Sequence, residues 1–221
     1  MMRRLVRNNG LSFVMFGLFL AFLGAQSVAG HRQYNQDQRE HGETVINYVG
    51  YLGTGHFVEA VFENWESEFL QMGSFVLFTI FLRQKGSPES KKLEGKEPVD
   101  ADPRGSRRRK APWPVRRGGL ALKIYGHSLT IALFLLFFAS LFLHAAGGAS
   151  EYNSEQLAHG AQGVSFLGYM GTSRFWFESF QNWQSEYMAV GALVVLSIFL
   201  RQRGSPESKP VDHPHGETGS E

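Results

Sequence analysis

Asn64, Ser67 and Glu68 are spaced i, i+3 and i+4, so a helix would carry all three on one face. The same face returns 118 residues later as Asn182, Ser185 and Glu186. Each set stands just before an apolar run, 69–82 in one case and 187–200 in the other. An ionisable group at membrane depth is costly and is a functional candidate by default. Two carboxylates brought close, Glu68 and Glu186, would raise one apparent pKa, which suits a proton or cation site. Two plainer readings stand beside it. The Asn, Ser and Glu side chains could hydrogen-bond an outer loop or the other half of the chain, or the patch could lie in water. The neighbouring Glu63 and Glu66 become Gln181 and Gln184, so the Asn/Ser/Glu face recurs where its charged neighbours do not. Trp65 and Trp183 sit where interfacial aromatic anchors belong.

Other chemistry is thinly represented. His41 and His159 recur in loops beside Gly42 and Gly160. As metal ligands they would need further donors converging on them, so no metal site is expected. His213 and His215 form an i, i+2 pair, a weak chelation signal on its own. The chain has no cysteine, which excludes disulfides and thiolate ligands. It carries no phosphate-binding or dinucleotide glycine pattern, no zinc-protease motif and no nucleophile elbow. No cofactor is expected, no nucleic-acid partner, and no catalytic residue.

The elements that would position these groups are four apolar segments. Residues 11–29 and 128–146 approach the roughly 20 residues a spanning helix needs. Residues 69–82 and 187–200 are shorter, but the polar patches extend them to spans of about 62–82 and 180–200. Of 22 basic residues, 13 lie between Arg83 and Lys123, three precede the first segment and three follow Leu200. The positive-inside rule therefore predicts four spans with both termini and the middle loop in the cytoplasm. Residues 1–30 also resemble a cleavable leader, with SVAG at the end. The corresponding second segment is internal, so retention is expected.

Residues 34–91 align with 152–209 without a gap, and 28 of 58 positions are identical. Such self-similarity reads as a duplication. Gly10 and Ser12 pair with Gly126 and Ser128 at a looser spacing of 116. Two halves with an even number of spans each would be parallel repeats. The divisions are 1–92, a basic cytoplasmic linker 93–117, 118–209, and a disordered tail 210–221. In the outer loops, a short helix from about residue 35 should stop at Gly42. Thr54 should cap a long helix from about Phe57 to Leu82. In the linker, Arg107, Arg108, Arg109 and Lys110 could hold anionic lipid headgroups, or could simply be a topogenic charge block.

The repeated FLRQ-x-GSPESK tail, the Gly-Tyr-x-Gly-Thr turn and the Asn-Trp-x-Ser-Glu patch resemble a group of bacterial integral membrane proteins known as a domain of unknown function. That resemblance covers nearly the whole chain. It implies a bacterial cell-membrane protein with four spans and implies no activity, substrate or catalytic residue. The fold expected is all-α, four transmembrane helices as two parallel two-helix repeats with the lipid bilayer as partner. The function expected is that of a non-enzymatic structural or interaction protein. The alternative is a small transporter or ion pathway using Glu68 and Glu186, and a membrane enzyme is more remote.

Overall fold

A computed structural model describes residues 2–106 and 108–219. Its regular structure is helical, and no strand occurs among the described residues. The helices are α1 (Met2–Glu40), α2 (Tyr48–Tyr51), α3 (Gly55–Phe81), α4 (Trp113–Arg117), α5 (Gly119–Gly126), α6 (Ser128–Ala158), α7 (Phe166–Met170) and α8 (Ser173–Phe199), with a 3-10 turn at Pro98–Asp100. The chain divides into two compact units. One holds residues 1–62 and 143–172, the other 63–142 and 173–221, so two of the three divisions fall inside α3 and α6 and the third between α7 and α8.

Two helices are long and apolar enough to cross a membrane, one within α1 and the other α6. The four expected spans are thus met by two on composition. At 27 residues each, α3 and α8 would rise about 40 Å, ample for a crossing. Their first halves are too polar, with Glu59, Glu63, Glu66 and Glu68 in α3 alone.

The helix bounds follow the 118-residue spacing. Gly55–Phe81 matches Ser173–Phe199, and the ends of α1 and α6 at Glu40 and Ala158 match as well. The correspondence reaches further back than the sequence alignment, and it corrects the 116 spacing. Asn9 breaks α1 at φ −131°, ψ 21°, and His127 separates α5 from α6 at φ −119°, ψ 9°. These two breaks are also 118 residues apart.

No separate helix begins near residue 35. With no Gly or Pro between His31 and Glu40, α1 runs on to its end. It does stop where expected. Gly42 adopts φ 71°, the Glu43 amide donates to the Gln38 carbonyl and the Gly42 amide to that of Arg39. This pairing of amides satisfies the last carbonyls of a helix. Gly160, at φ 72°, ends α6 with the matching bonds from Ala161 to Gln156 and from Gly160 to Leu157. After each stop an asparagine clamps the loop. Asn35 Oδ1 accepts from the Ile46 amide and Asn35 Nδ2 donates to the Ile46 carbonyl, both at 2.8 Å. Asn153 does the same for Val164 at 2.6 and 2.9 Å. Thr54 then caps α3, its Oγ1 accepting from the Phe57 amide at 3.2 Å.

The two Arg-Gln-x-Gly-Ser-Pro-Glu-Ser-Lys segments fold alike. The Gln84 and Gln202 amides donate to Ser90 and Ser208 Oγ, both at 2.9 Å. Arg83 and Arg201 donate to the closing carbonyls of α3 and α8, a favourable use of cations at helix C-termini. The tail expected to be disordered makes defined contacts through residue 219. The Gly219 amide donates to the Ser87 carbonyl and the Gly86 amide to Thr218 Oγ1. Lys209, 1% exposed, donates to the carbonyls of Pro214, His215 and Glu217. Three carbonyl acceptors make the burial of an ammonium group tolerable.

Burial and the charge of Glu207 hold the Glu89 carboxyl above its usual range. A raised carboxyl pKa contributes stability that is present below the unfolded value near 4.5 and is lost as pH rises through the folded one. The packing of these two segments should therefore loosen on going from mild acid to neutral pH. Carboxyl-detected NMR should find the Glu89 midpoint moving down towards the ordinary range in Glu207→Gln. An unmoved midpoint would remove Glu207 as a cause.

Candidate functional site

Two buried carboxylates organise the polar interior, one in each compact unit. In the first unit, Gly55 and Glu59 of α3 lie against Gly147 and Glu151 of α6 so closely that backbone faces backbone. A Cβ on Gly147 would stand 2.6 Å from the Glu59 amide nitrogen. Small residues permit that approach. Glu59 is 7% exposed and accepts a hydrogen bond from the Tyr169 hydroxyl at 3.0 Å. Its carboxylate and the fully buried His144 ring offer ligand atoms within 4.8 Å of each other. The Glu59 carboxylate and the nearby His144 imidazole are oxygen and nitrogen donors of the kind metals take.

The tyrosines around this site repeat. Tyr51 and Tyr169 are 1% and 0% exposed, and their hydroxyls press against the backbone at Gly30 and Gly148, where a Cβ could not fit. Their polar partners differ. Tyr51 bonds His56 Nδ1 at 3.1 Å, within its own half of the chain. Tyr169 reaches across to Glu59 of the first half. Tyr34, His31 and His56 pack around Tyr51 with ring centroids 5.5–5.7 Å apart. Burial, then the charge of Glu151, pushes the Tyr34 and Tyr51 phenols above their usual range.

In the second unit the buried carboxylate is Glu66, 0% exposed, which accepts from Trp183 Nε1 at 3.1 Å. The Trp183 ring sits among Phe137, Trp176 and Phe180, with centroids 5.5–6.3 Å away and near-perpendicular planes. Edge-to-face packing of this kind adds to burial. Two turns along α3, Ser74 Oγ bonds the Tyr187 hydroxyl of α8 at 2.6 Å.

The Asn/Ser/Glu face is dispersed by this packing. Ser67 is 1% exposed and bonds the Asn64 carbonyl of its own helix. Asn64 and Glu68 are exposed. On α8, Asn182 and Glu186 are half-buried and Ser185 is exposed, with Ser185 bonding the Asn182 carbonyl. The inward carboxylate on this part of α3 is Glu66. Trp65 is half-buried, and Trp183 serves as a hydrogen-bond donor within the protein.

His41 and His159 are exposed, and each bonds a carbonyl one turn back, Asp37 and Glu155. They finish helices. His213 faces Glu217 at 3.3 Å, whereas His215 bonds the Ile198 carbonyl, so the pair does not chelate through shared geometry. Arg108, Arg109 and Lys110 are exposed; Arg107 lies outside the described residues.

Glu59, Glu66 and His144 carry no signal by recurrence, because their matched positions hold Phe177, Gln184 and Gln26. Recurrence at 118 residues points to the shared scaffold, and these groups are where the halves differ. Tyr51 and Tyr169 did recur, but within a glycine-rich stretch that reads as a turn.

No curated protein and no solved structure matches the chain. The model of a family described as a domain of unknown function, DUF6766, matches residues 2–220, and the chain belongs to that family.

Proposed function

We propose that this chain is a four-span protein of the bacterial cell membrane, built as two parallel repeats, with both termini and residues 83–127 in the cytoplasm. In this reading it is a structural or interaction component rather than an enzyme. The observation that carries it is the use made of the buried carboxylates. Glu59 and Glu66, both of the first half, each accept a hydrogen bond from an aromatic donor of the second half, Tyr169 and Trp183. Polar contacts between helices hold membrane proteins together where the hydrophobic effect between helices is absent. The apolar lengths of α1 and α6, the lengths of α3 and α8, and the distribution of basic residues support the topology.

A second reading, a proton or cation pathway, is favoured by the proximity of Glu59 to His144. It moves the candidate groups away from Glu68 and Glu186.

The topology is tested through single cysteines in this cysteine-free chain. Thr44→Cys and Gln162→Cys should react with a membrane-impermeant thiol reagent on intact cells, and Ser106→Cys only after lysis. If α1 and α6 alone cross, Ser106→Cys will label from outside together with Thr44→Cys, and the four-span reading fails.

A further inference from the structure

Residues 104–126 form the most one-sided electrostatic stretch of the chain. Every charged residue from Arg104 to Lys123 is basic, and no acidic residue occurs between Asp102 and Glu151. Within it, α4 and α5 are in the same compact unit and adjoin at Gly118. Arg117 stacks over the Trp113 ring at 5.0 Å from its centroid. Leu122 is turned inward at 8% exposure, whereas Trp113, Leu120 and Ile124 are 56%, 72% and 53% exposed. Arg116, Arg117 and Lys123 are exposed beside them. Leu120, Lys123 and Ile124 share one helical face by their spacing. Apolar and aromatic side chains set among cations are what an interfacial helix presents to a lipid surface.

What covers this face follows from charge and from continuity. The exposed Arg116, Arg117 and Lys123, with no acidic residue anywhere in 103–150, complement an anionic surface. The helix α5 leads, across the His127 break, directly into α6, which is apolar enough to span. The same break at Asn9 separates exposed Arg4 and Arg7 from the apolar part of α1. Each of the two most apolar helices is thus preceded by a short basic helical segment with a backbone break between them.

We propose that the segment Trp113–Gly126 is an interfacial arm that docks on the anionic headgroups of the leaflet where α6 enters the bilayer. Trp113, Leu120 and Ile124 would sink to the headgroup boundary, and Arg116, Arg117 and Lys123 would meet lipid phosphates. The proposal rests on the membrane reading above. It extends the lipid contact beyond residues 107–110 to a folded element.

The test uses the full chain in nanodiscs of phosphatidylcholine, with or without a quarter phosphatidylglycerol, each doped with a nitroxide-bearing lipid. Leu120→Cys carries an environment-sensitive fluorophore on the arm, and Leu135→Cys carries it inside α6. The α6 probe should be quenched equally in both discs. Quenching of the arm probe should be at least about twofold stronger in the anionic discs. It should fall to the neutral-disc level when Arg116, Arg117 and Lys123 are changed to Gln, or in high salt. Equal arm quenching in the two discs, or quenching indifferent to the three substitutions, overturns the proposal. So does an arm probe that responds to a short RNA but not to lipid charge. An unquenched α6 probe would instead sink the membrane reading itself.

Discussion

Gly147→Ala should destabilise the protein by about 2–3 kcal/mol, while Gly17→Ala should leave it unchanged or up to about 1 kcal/mol more stable. The substitution is the same in both helices, and the surroundings decide its sign. A Cβ on Gly147 would meet the Glu59 amide nitrogen at 2.6 Å, the Gly55 carbonyl at 2.9 Å and the Glu59 Cα at 3.1 Å. All three are backbone atoms of α3, so no side chain can swing aside, and α3 and α6 must separate. That separation would disturb Glu59 and its bond from Tyr169, which depend on the same crossing. Around Gly17 nothing lies within 4 Å, so an added methyl simply improves helix propensity. Thermal midpoints of the purified variants in one detergent would compare the pair. Equal midpoints would mean that α3 and α6 are not in backbone contact at Gly147.

Glu66→Ala should cost about 3 kcal/mol, whereas Glu68→Ala should change stability by no more than about 0.5 kcal/mol. Truncating Glu66 removes a fully buried side chain and deprives Trp183 Nε1 of its acceptor at 3.1 Å. A hydrogen bond to a buried carboxyl is worth more than a neutral one, and the vacated volume adds a cavity term. Glu68 is exposed, and its loss leaves no buried group unpaired. A double-mutant cycle with Trp183→Phe isolates the bond from the cavity. Coupling between the two positions is expected, because Phe keeps the ring among Phe137, Trp176 and Phe180 and removes only the donor. If Glu68→Ala proves the damaging change, or if the cycle gives no coupling, the lock assigned to Glu66 is wrong.

The contrast between these neighbours shows where reading the chain residue by residue stops. Helical spacing alone puts Asn64, Ser67 and Glu68 on one face. It does not say which face turns inward. On α3 the buried polar positions are Glu59, Glu66, Ser67, Gln71 and Ser74, a stripe that runs between the apolar ones. In the first half of α3 polar side chains fall on several faces, with Glu63, Asn64 and Glu68 beside Glu66 and Ser67, so periodicity does not single out that stripe.

The sequence by itself determined the ends of some long helices. Local chemistry was enough for this, because glycines at positive φ stop α1 and α6 and threonine caps α3. It also determined the 118-residue correspondence between the halves. Only the tertiary structure decided which members of matched pairs face inward. Tyr51 and Tyr169 occupy matched positions and nearly identical backbone surroundings, yet one bonds His56 and the other Glu59. The Tyr51 partner is local, five residues on, where the second half holds Arg174; the Tyr169 partner lies 110 residues back on α3, a relation that no local pattern encodes. A duplicated chain repeats its local rules in both halves. Its buried polar partners differ where the matched residues differ, His56 against Arg174 and Glu59 against Phe177.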